Sequence, residues 1–268
     1  VFHGYAAEKK DHWIIRRYFD TYFTQGPYFT SHFKALAAQY GDFEVVETGW
    51  PKQDWIKQNL HHYDAEKQEL LKKSGKKSII LYAPTFSPKL TSLPLPGMKE
   101  QLERLAKERE ALIIMKFHPL TRQEWADEYK AWADGCSDIM FIDKGENVTK
   151  YQLMSDVLIS DTSSTVYEFL SRPVITVNTL SKAIYWENIN SPDTLLEAYD
   201  HALTDPAAIS LRQWIVNNYD PYLDGHVCER MLNAAADYIS RHGVPQKRKL
   251  NLWRKYTSIK TFGRIKRG

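Results

Sequence analysis

The chain has 268 residues, of which 43% are hydrophobic and 26% are charged, with a formal net charge of +3 at pH 7. This composition is ordinary for a globular protein and excludes a collagen-like or disordered chain. No apolar run reaches the length that a membrane span needs, and the two cysteines, Cys136 and Cys228, lack metal-ligand spacing. Such low cysteine content fits a reducing cytosol better than a disulfide-built secreted protein.

The first 77 residues predict helices around one short strand. Residues 11–40 carry a dense aromatic helical pattern that breaks at Gly26 and Pro27. The stretch "FEVVETGW" predicts a strand that ends at Gly49, and residues 56–77 predict a charged, exposed helix. The opening "VFHG" has the pattern of a strand end, so we expect that a segment precedes Val1.

From Ser78 onward, predicted strands alternate with predicted helices. Strands are expected at 78–86, 111–119, 139–143, 157–160 and 173–178, and helices at 98–110, 122–134, 150–156, 164–171, 192–204 and 227–241. The strands are continuous apolar runs, which indicates a parallel sheet covered on both faces. We therefore predict an α/β fold with a Rossmann-like domain at 76–245, after a first domain at 1–75 and before a tail at 246–268.

Polar residues gather where these predicted strands end. Ligands of open parallel sheets bind at the carboxyl ends of the strands, so these residues are candidates for a site. The candidates are His3, Thr85, Lys116, His118, Asp161, Thr162, Ser163 and Ser164.

The stretch "LISDTSSTVYEFL", 158–170, places three hydroxyl residues between a strand and a helix. Hydroxyls and free N–H groups at a helix N-terminus can bind a phosphate. They can equally be ordinary helix caps, and Thr165 with Glu168 fits a capping box. The residues alone leave both interpretations open, and neither common nucleotide-binding glycine motif is present.

Two histidines follow predicted strands. An unperturbed histidine titrates near pH ~6.5, so it can bind or release a proton at neutral pH. A single histidine is more often structural, but His118 also has Lys116 beside it at the strand end. His3 has the same placement.

The tail differs in charge from the rest of the chain. Residues 246–268 contain nine Lys or Arg and no Asp or Glu, which leaves 27 basic against 33 acidic residues elsewhere. Basic residues interleaved with aromatic ones favour an anionic membrane surface. A solvated tail and nonspecific nucleic-acid binding are the alternatives. The acidic body and the lack of a nucleic-acid module argue against nucleic acid.

Several short motifs, taken in order, give the chain a family resemblance. They are "HG" at 3–4, "GWPKQD", "LYAPTF", "KFHP", "SDVLISDTSSTVYEFL", "RPVI" and "DGHVCER". Together they resemble the CDP-glycerol glycerophosphotransferase family, which builds teichoic acids and related polyol-phosphate capsule polymers. The resemblance implies a GT-B-like fold: a C-terminal Rossmann-like sheet domain plus the latter part of an N-terminal α/β domain. It also implies transfer of a polyol phosphate, most often glycerol phosphate, from a CDP-activated substrate, with release of CMP.

The resemblance also assigns roles to residues. His3 matches the family's first histidine and is the expected base. His118 matches the second and, when protonated, is expected to stabilise the leaving CMP. The phosphate loop matches Asp161, Ser163 and Ser164, and Glu168 is expected to bind ribose hydroxyls. Supporting positions near the acceptor are Lys9, Asp224 and Arg230. Lys52 stands where the family has arginine, and Glu8 where it often has lysine.

The resemblance implies a lipid-linked or polymeric acceptor and no tightly bound cofactor. No carboxylate pair shows metal spacing, so no metal is expected. The expected location is the inner face of a bacterial cell membrane, on the cytoplasmic side. Two alternatives remain open: a GT-B glycosyltransferase or epimerase that uses a UDP- or CMP-sugar, and a non-catalytic membrane-attached module.

Overall fold

The computed structural model describes residues 19–87, 91–93, 95–169, 171–178, 186–244 and 252–262. The chain divides into two compact units, 1–228 and 229–268. The domain limits predicted from the sequence stay predictions. Within the described ranges, no helix is both long enough and apolar enough to cross a lipid bilayer.

The first unit begins with a small parallel sheet. Strand β1 (Thr21–Thr24) pairs with β2 (Glu44–Glu47), and helix α1 (Pro27–Tyr40) connects them. The helical pattern predicted over 11–40 was wrong at β1. Its Thr-Tyr-Phe-Thr sequence has strong strand propensity, and the backbone finds a partner in β2.

Two helices follow where the sequence predicted one. They are α2 (Lys52–Asn59) and α3 (Asp64–Ser74). Helix α2 starts directly after Pro51, and α3 ends at Gly75, which adopts a left-handed φ of 68°. A glycine there terminates a helix at little steric expense. The predicted boundary near Gly75–Lys77 falls between α3 and the next strand.

The main sheet has six parallel strands. They are β3 (Ser78–Tyr82), β4 (Ala111–Lys116), β5 (Ile139–Ile142), β6 (Val157–Ser160), β7 (Val174–Val177) and β8 (Glu187–Ile189). Their order in the sheet is β5-β4-β3-β6-β7-β8. The predicted parallel sheet is confirmed, and β8 is a strand that the sequence reading missed.

The remaining helices of the described chain lie between and after these strands. They are α4 (Met98–Glu108), α5 (Gln123–Asp134), α6 (Val148–Met154), α7 (Thr165–Phe169), α8 (Leu195–Thr204), α9 (Pro206–Tyr219), α10 (Val227–His242) and α11 (Leu252–Phe262). Helix α9 was not predicted, although its start carries a readable signal. Asp205 accepts from the N–H groups of Ala207 and Ala208, and Pro206 fills the first turn.

Both faces of the main sheet are buried, as alternate residues of one strand demonstrate. Ile80 and Tyr82 of β3 pack in a cluster with α4, α5 and α8, while Ile79 and Leu81 pack with α6, α7 and α9. All four side chains are fully buried. A strand buried on both sides favours apolar residues at nearly every position, which explains the long apolar runs.

The strand order reverses direction at β3. From β3 the chain moves outward through β4 and β5, then returns to place β6 on the other side of β3. The connections that leave β3 and β6 therefore part in opposite directions, and a crevice forms between them. The segment after β3 and the hydroxyl-rich loop after β6 border this crevice.

Candidate active site

The ends of β3 and β6 are joined by buried hydrogen bonds. Ser160 donates its hydroxyl to the carbonyl of Ala83 at 2.6 Å. Asp161 accepts from the backbone N–H of Thr85 at 2.8 Å, and from the N–H of Ser92 at 2.8 Å and its hydroxyl at 3.1 Å. The two loops are thereby fixed to each other at the crevice.

Asp161 is only 1% exposed, and both of its carboxylate oxygens accept hydrogen bonds within the protein. The sequence reading placed Asp161 and Thr85 among the groups that contact nucleotide or phosphate. Their geometry instead gives them a positioning role, because each is engaged in holding the loop after β3. A direct contact of either residue with substrate stays a prediction.

Burial raises the pKa of Asp161 from 3.8 to about 6, although the hydrogen bonds from Ser92 and Thr85 oppose this shift. The folded chain therefore binds this proton more tightly than the unfolded chain does. Between pH 4 and pH 6 the unfolded chain loses the proton first, so this group lowers the free energy of unfolding as pH rises.

We predict that Asp161→Asn removes this pH-dependent component, which amounts to about 3 kcal/mol between pH 4 and pH 7. The amide also presents an N–H₂ group to a backbone N–H, so at pH 4 the variant is expected to be less stable than the parent chain. Urea unfolding of both proteins at several pH values measures the difference. Parallel pH profiles for the two proteins would contradict the prediction.

His118 stands at the end of β4, exposed rather than directed into the core. Its ring lies against Phe86, with centroids 4.5 Å apart and planes tilted by 30°. Its Nδ1 accepts from the backbone N–H of Leu120 at 3.1 Å. A nitrogen that accepts carries no proton, so this geometry places the proton of the neutral ring on Nε2. In the neutral ring, Nε2 is therefore the nitrogen that can donate.

His118 and the hydroxyl loop after β6, residues 162–164, share one pocket of about 210 Å³, which Ser163 lines. It lies at the carboxyl ends of four strands, where the sequence predicted a site. Its lining residues are Ala83, Pro84, Lys116, Phe117, His118, Pro119, Glu146, Asn147, Val148, Ser163 and Thr165. The structure therefore brings His118 and Ser163 together.

Lys116 lies in the wall of this pocket with 3% exposure. Its ammonium donates to the carbonyls of Phe117 at 2.8 Å and Lys144 at 2.9 Å. Burial lowers its pKa, while the carboxylates of Asp143 and Glu146 act in the opposite direction. These bonds anchor the segment that carries His118, and a phosphate contact by Lys116 stays a prediction.

The loop Thr162–Ser164 is half-buried and leads into α7. The hydroxyl of Ser163 accepts from the N–H of Thr165 at 3.3 Å. Ser163 thus serves the helix start and lines the pocket at once, so the two readings of this loop are compatible. Thr165 is the first helical residue, and the capping box expected with Glu168 is not the arrangement found.

Glu168 faces away from the His118 pocket. Its Oε2 accepts from the ammonium of Lys52 at 2.9 Å and from the amide of Gln152 at 3.3 Å. It lines a second pocket of about 250 Å³, together with Tyr167, Gln53 and other residues. In the structure Glu168 ties α7 to the "GWPKQD" segment, and its contact with ribose stays a prediction.

The "GWPKQD" and "DGHVCER" motifs bind each other, a relation that sequence reasoning missed. Asp54 accepts from the N–H groups of Val227 at 2.9 Å and Cys228 at 2.7 Å. Gln53 donates to Asp220 at 2.9 Å. The signal was present in the sequence, because an acid and the start of a helix that needs capping occurred in the two motifs.

Two further predicted residues, Asp224 and Arg230, are absent from the linings of the two pockets. Asp224 is exposed and accepts from the N–H of His226 at 3.1 Å, as in an ordinary turn. Arg230 lies on α10 within the second unit. His3 and Lys9 lie outside the described residues. Among the residues that are described, no three His, Cys, Asp or Glu side chains are grouped as metal ligands would be.

Comparison with known proteins places this site in a family. The family model of CDP-glycerol:poly(glycerophosphate) glycerophosphotransferases matches residues 3–182, more than half of the chain. The chain belongs to this family. The match includes the pocket from Ala83 to Thr165 and the "GWPKQD" segment.

Two curated relatives illustrate the range of the family. The teichoic acid glycerol-phosphate primase of Bacillus subtilis (strain 168) is 28% identical over 181 residues, which are 62% of this chain and 45% of the relative. The teichoic acid ribitol-phosphate polymerase TarL of Staphylococcus aureus (strain NCTC 8325 / PS 47) is 28% identical over 212 residues, 72% of this chain and 36% of the relative. The chain thus spans less than half the length of both.

A solved structure shares the fold. The wall teichoic acid polymerase TagF superposes with a TM-score of 0.58 at 16% identity, covering 83% of this chain and 59% of TagF. A further TagF structure was obtained after a soak with CDPG. The α/β, GT-B-like fold that the sequence predicted is confirmed.

Proposed function

We propose that this protein transfers a polyol phosphate, with glycerol phosphate as the first candidate, from a CDP-activated substrate to an acceptor hydroxyl of a lipid-linked or growing cell-surface polymer. The observation that carries the proposal is the single pocket that His118 and Ser163 share at the carboxyl edge of the sheet. Family membership supplies the reaction class, and the pocket supplies groups suited to it.

The reaction joins the acceptor oxygen to the β-phosphorus of the CDP-polyol. The bond from that phosphorus to the oxygen that bridges the two phosphates breaks, and CMP leaves with this oxygen. The acceptor hydroxyl loses its proton to a base, and the product is a phosphodiester. Negative charge develops on the leaving oxygen, so the protein needs hydrogen-bond donors there.

His118 is suited to be such a donor. With Nδ1 accepting from Leu120, the Nε2–H group is the donor that the neutral ring offers, and His118 lines the pocket. A neutral imidazole that donates from Nε2 stabilises the leaving phosphate without first gaining a proton. The Phe86 ring packed against it restricts its rotation, which favours one orientation during the reaction.

The hydroxyl loop supplies further donors to the phosphates. Ser163 lines the pocket, and Thr162 and Ser164 flank it in the same half-buried loop. Helix α7 has only five residues, so its dipole adds little, and the hydroxyl and N–H groups of the loop carry the argument. Asp161 holds this loop against the segment after β3, which fixes the donors before substrate binds.

The base that accepts the hydroxyl proton is His3 in this proposal, with Lys9 near the acceptor. Both assignments derive from the family motif, since these residues lie outside the described part of the chain. The absence of a required metal or tightly bound cofactor is likewise part of the proposal.

A panel of activated substrates tests the proposal. The protein is incubated with CDP-glycerol, CDP-ribitol, UDP-sugars and CMP-sugars in the presence of a lipid-linked acceptor, and the released nucleotide is quantified. We expect CMP release from a CDP-polyol. Turnover of a UDP-sugar alone would favour the glycosyltransferase or epimerase alternative. Binding of a CDP-polyol without turnover would favour the non-catalytic module.

The proposal extends to where the protein acts, the cytoplasmic face of a bacterial cell membrane. Helix α11 lies in the basic tail and exposes Leu252, Trp253 and Tyr256 by 69%, 75% and 58%. The Trp253 and Tyr256 rings lie 6.0 Å apart on one face, with Lys255 and Lys260 exposed on the same helix. Aromatic rings at the headgroup level combined with lysines suit an anionic lipid surface.

We predict that replacing both Trp253 and Tyr256 with alanine reduces co-sedimentation with phosphatidylglycerol vesicles at least several-fold, because the anchoring rings are lost. Binding of the parent protein should also fall as salt rises. Neutral phosphatidylcholine vesicles serve as the control surface. Equal sedimentation of parent and variant with anionic vesicles would reject a membrane role for α11.

A further inference from the structure

The His118 pocket extends to the loop after β5, where Glu146 and Asn147 line its wall. Sequence reasoning gave neither residue a role. In the sheet order, β5 lies three strands away from β6, which carries the hydroxyl loop. Adjacent strands are about 4.8 Å apart, so the two loops start about 14 Å from each other. A nucleotide that extended along this pocket from phosphates at Ser163 would bring its base toward Glu146 and Asn147.

The two side chains offer opposite hydrogen-bonding groups. Asn147 accepts from the N–H of Thr149 through Oδ1 at 3.0 Å, which leaves its Nδ2 group as the donor of that amide. Glu146 presents a carboxylate, a group whose oxygens only accept. The wall thus presents an acceptor and a donor on consecutive residues.

This pair matches cytosine and conflicts with uracil. Cytosine carries an amino group at C4 and an acceptor at N3, whereas uracil carries an acceptor at C4 and an N–H at N3. A carboxylate that accepts from the C4 amino group is a known way to recognise cytosine. Uracil would place its carbonyl oxygen against the carboxylate, and both partners would lose hydrogen bonds.

We propose that Glu146 and Asn147 select cytosine in the activated substrate, Glu146 by accepting from the C4 amino group and Asn147 by donating to N3. This inference rests on the proposed function, because it assigns the base to the pocket that holds the phosphates. Buried Lys116 in the same wall lies close enough to Glu146 for the two charges to interact.

The variant Glu146→Gln tests the selection. An amide at this position can turn its N–H₂ group toward the C4 oxygen of uracil, so discrimination should relax. We expect the ratio of kcat/KM for CDP-glycerol over UDP-glycerol to fall by about 10- to 100-fold. Glu124→Gln, at an exposed position of α5 outside the pocket lining, makes the same charge change and should leave the ratio unaltered.

Binding of CMP and UMP, measured by calorimetry, separates this inference from the proposed function. Glu146→Gln should lower the ratio of CMP affinity to UMP affinity by about the same 10- to 100-fold factor as the kcat/KM ratio. Asn147→Asp keeps a carboxylate oxygen as the helix cap but removes the donor, so it should weaken CMP binding. Turnover of CDP-glycerol with an unchanged CMP preference in Glu146→Gln would overturn the inference alone. A parent protein that binds neither nucleotide and releases no CMP would overturn both.

Discussion

Replacing His118 with alanine is expected to lower the rate of CMP release by about 10²- to 10⁴-fold, the range typical of one well-placed proton-bearing group. The ring is exposed at the pocket and contributes little to the core, so the variant should fold normally. The reason for the loss is specific. Alanine removes the Nε2–H group that donates to the leaving phosphate in the proposed mechanism.

A second variant distinguishes hydrogen-bond donation from packing. Glutamine at position 118 restores an N–H₂ group near the place of Nε2, so His118→Gln should retain more activity than His118→Ala. His61→Ala removes an exposed imidazole that pairs with Asp64 far along the chain from this pocket, and it should have no effect on turnover. Circular dichroism and unfolding midpoints confirm that all variants are folded. Near-normal CMP release by His118→Ala would remove this residue from the mechanism.

The sequence was most informative about the sheet. Strands such as Val157–Ser160 are buried on both faces and are apolar up to their last residue, so the residue pattern indicates the architecture directly. It was less informative at the edges of the fold. The strand at Thr21–Thr24 depends on its pairing with β2, a contact between residues about 20 positions apart that no local pattern contains.

For the candidate site, the sequence predicted which residues lie at the sheet edge but not where their side chains point. His118 and Ser163 follow adjacent regions of one sheet edge, so knowing that strands end there was enough to bring them together. The side-chain directions were not available from the sequence. Asp161 precedes Ser163 in the same loop, but its side chain turns inward to bind Ser92. Glu168 lies in the first turn of the following helix, but its side chain pairs with Lys52. Their partners come from distant segments, which only the folded chain identifies.

The Lys52–Glu168 pair shows what the side chain at position 52 contacts, where this chain has lysine in place of the family's arginine. Arginine is usual in the family at position 52, and lysine keeps the charge but loses the planar, forked donor. A single Nζ–Oε2 contact of 2.9 Å connects the "GWPKQD" segment to α7, with the two side chains 28% and 11% exposed. Lys52 therefore connects the "GWPKQD" segment to α7 through one donor, a less directional contact than a forked guanidinium can make.

The "GWPKQD" segment makes a further packing contact, at Gly49, that predicts a large effect on stability. Gly49 has a φ of 96°, and a Cβ placed on it would lie 2.8 Å from both the Cβ of Tyr222 and a methyl group of Val227. Gly49→Ala is expected to lower the free energy of unfolding by about 2–5 kcal/mol, combining left-handed backbone strain with overpacking. Chemical denaturation measures this loss.

The chain provides a matched control for Gly49→Ala. Gly75 also has a left-handed φ, 68°, but a Cβ there would meet nothing within 4 Å. Gly75→Ala should therefore lower the free energy of unfolding by only about 1–2 kcal/mol, which is the backbone contribution alone. The difference between the two variants isolates the close packing of the "GWPKQD" segment on Tyr222 and Val227. Equal losses of unfolding free energy in the two variants would contradict the prediction. The packing of Gly49 on Tyr222 and Val227 would then contribute nothing to the stability of the fold.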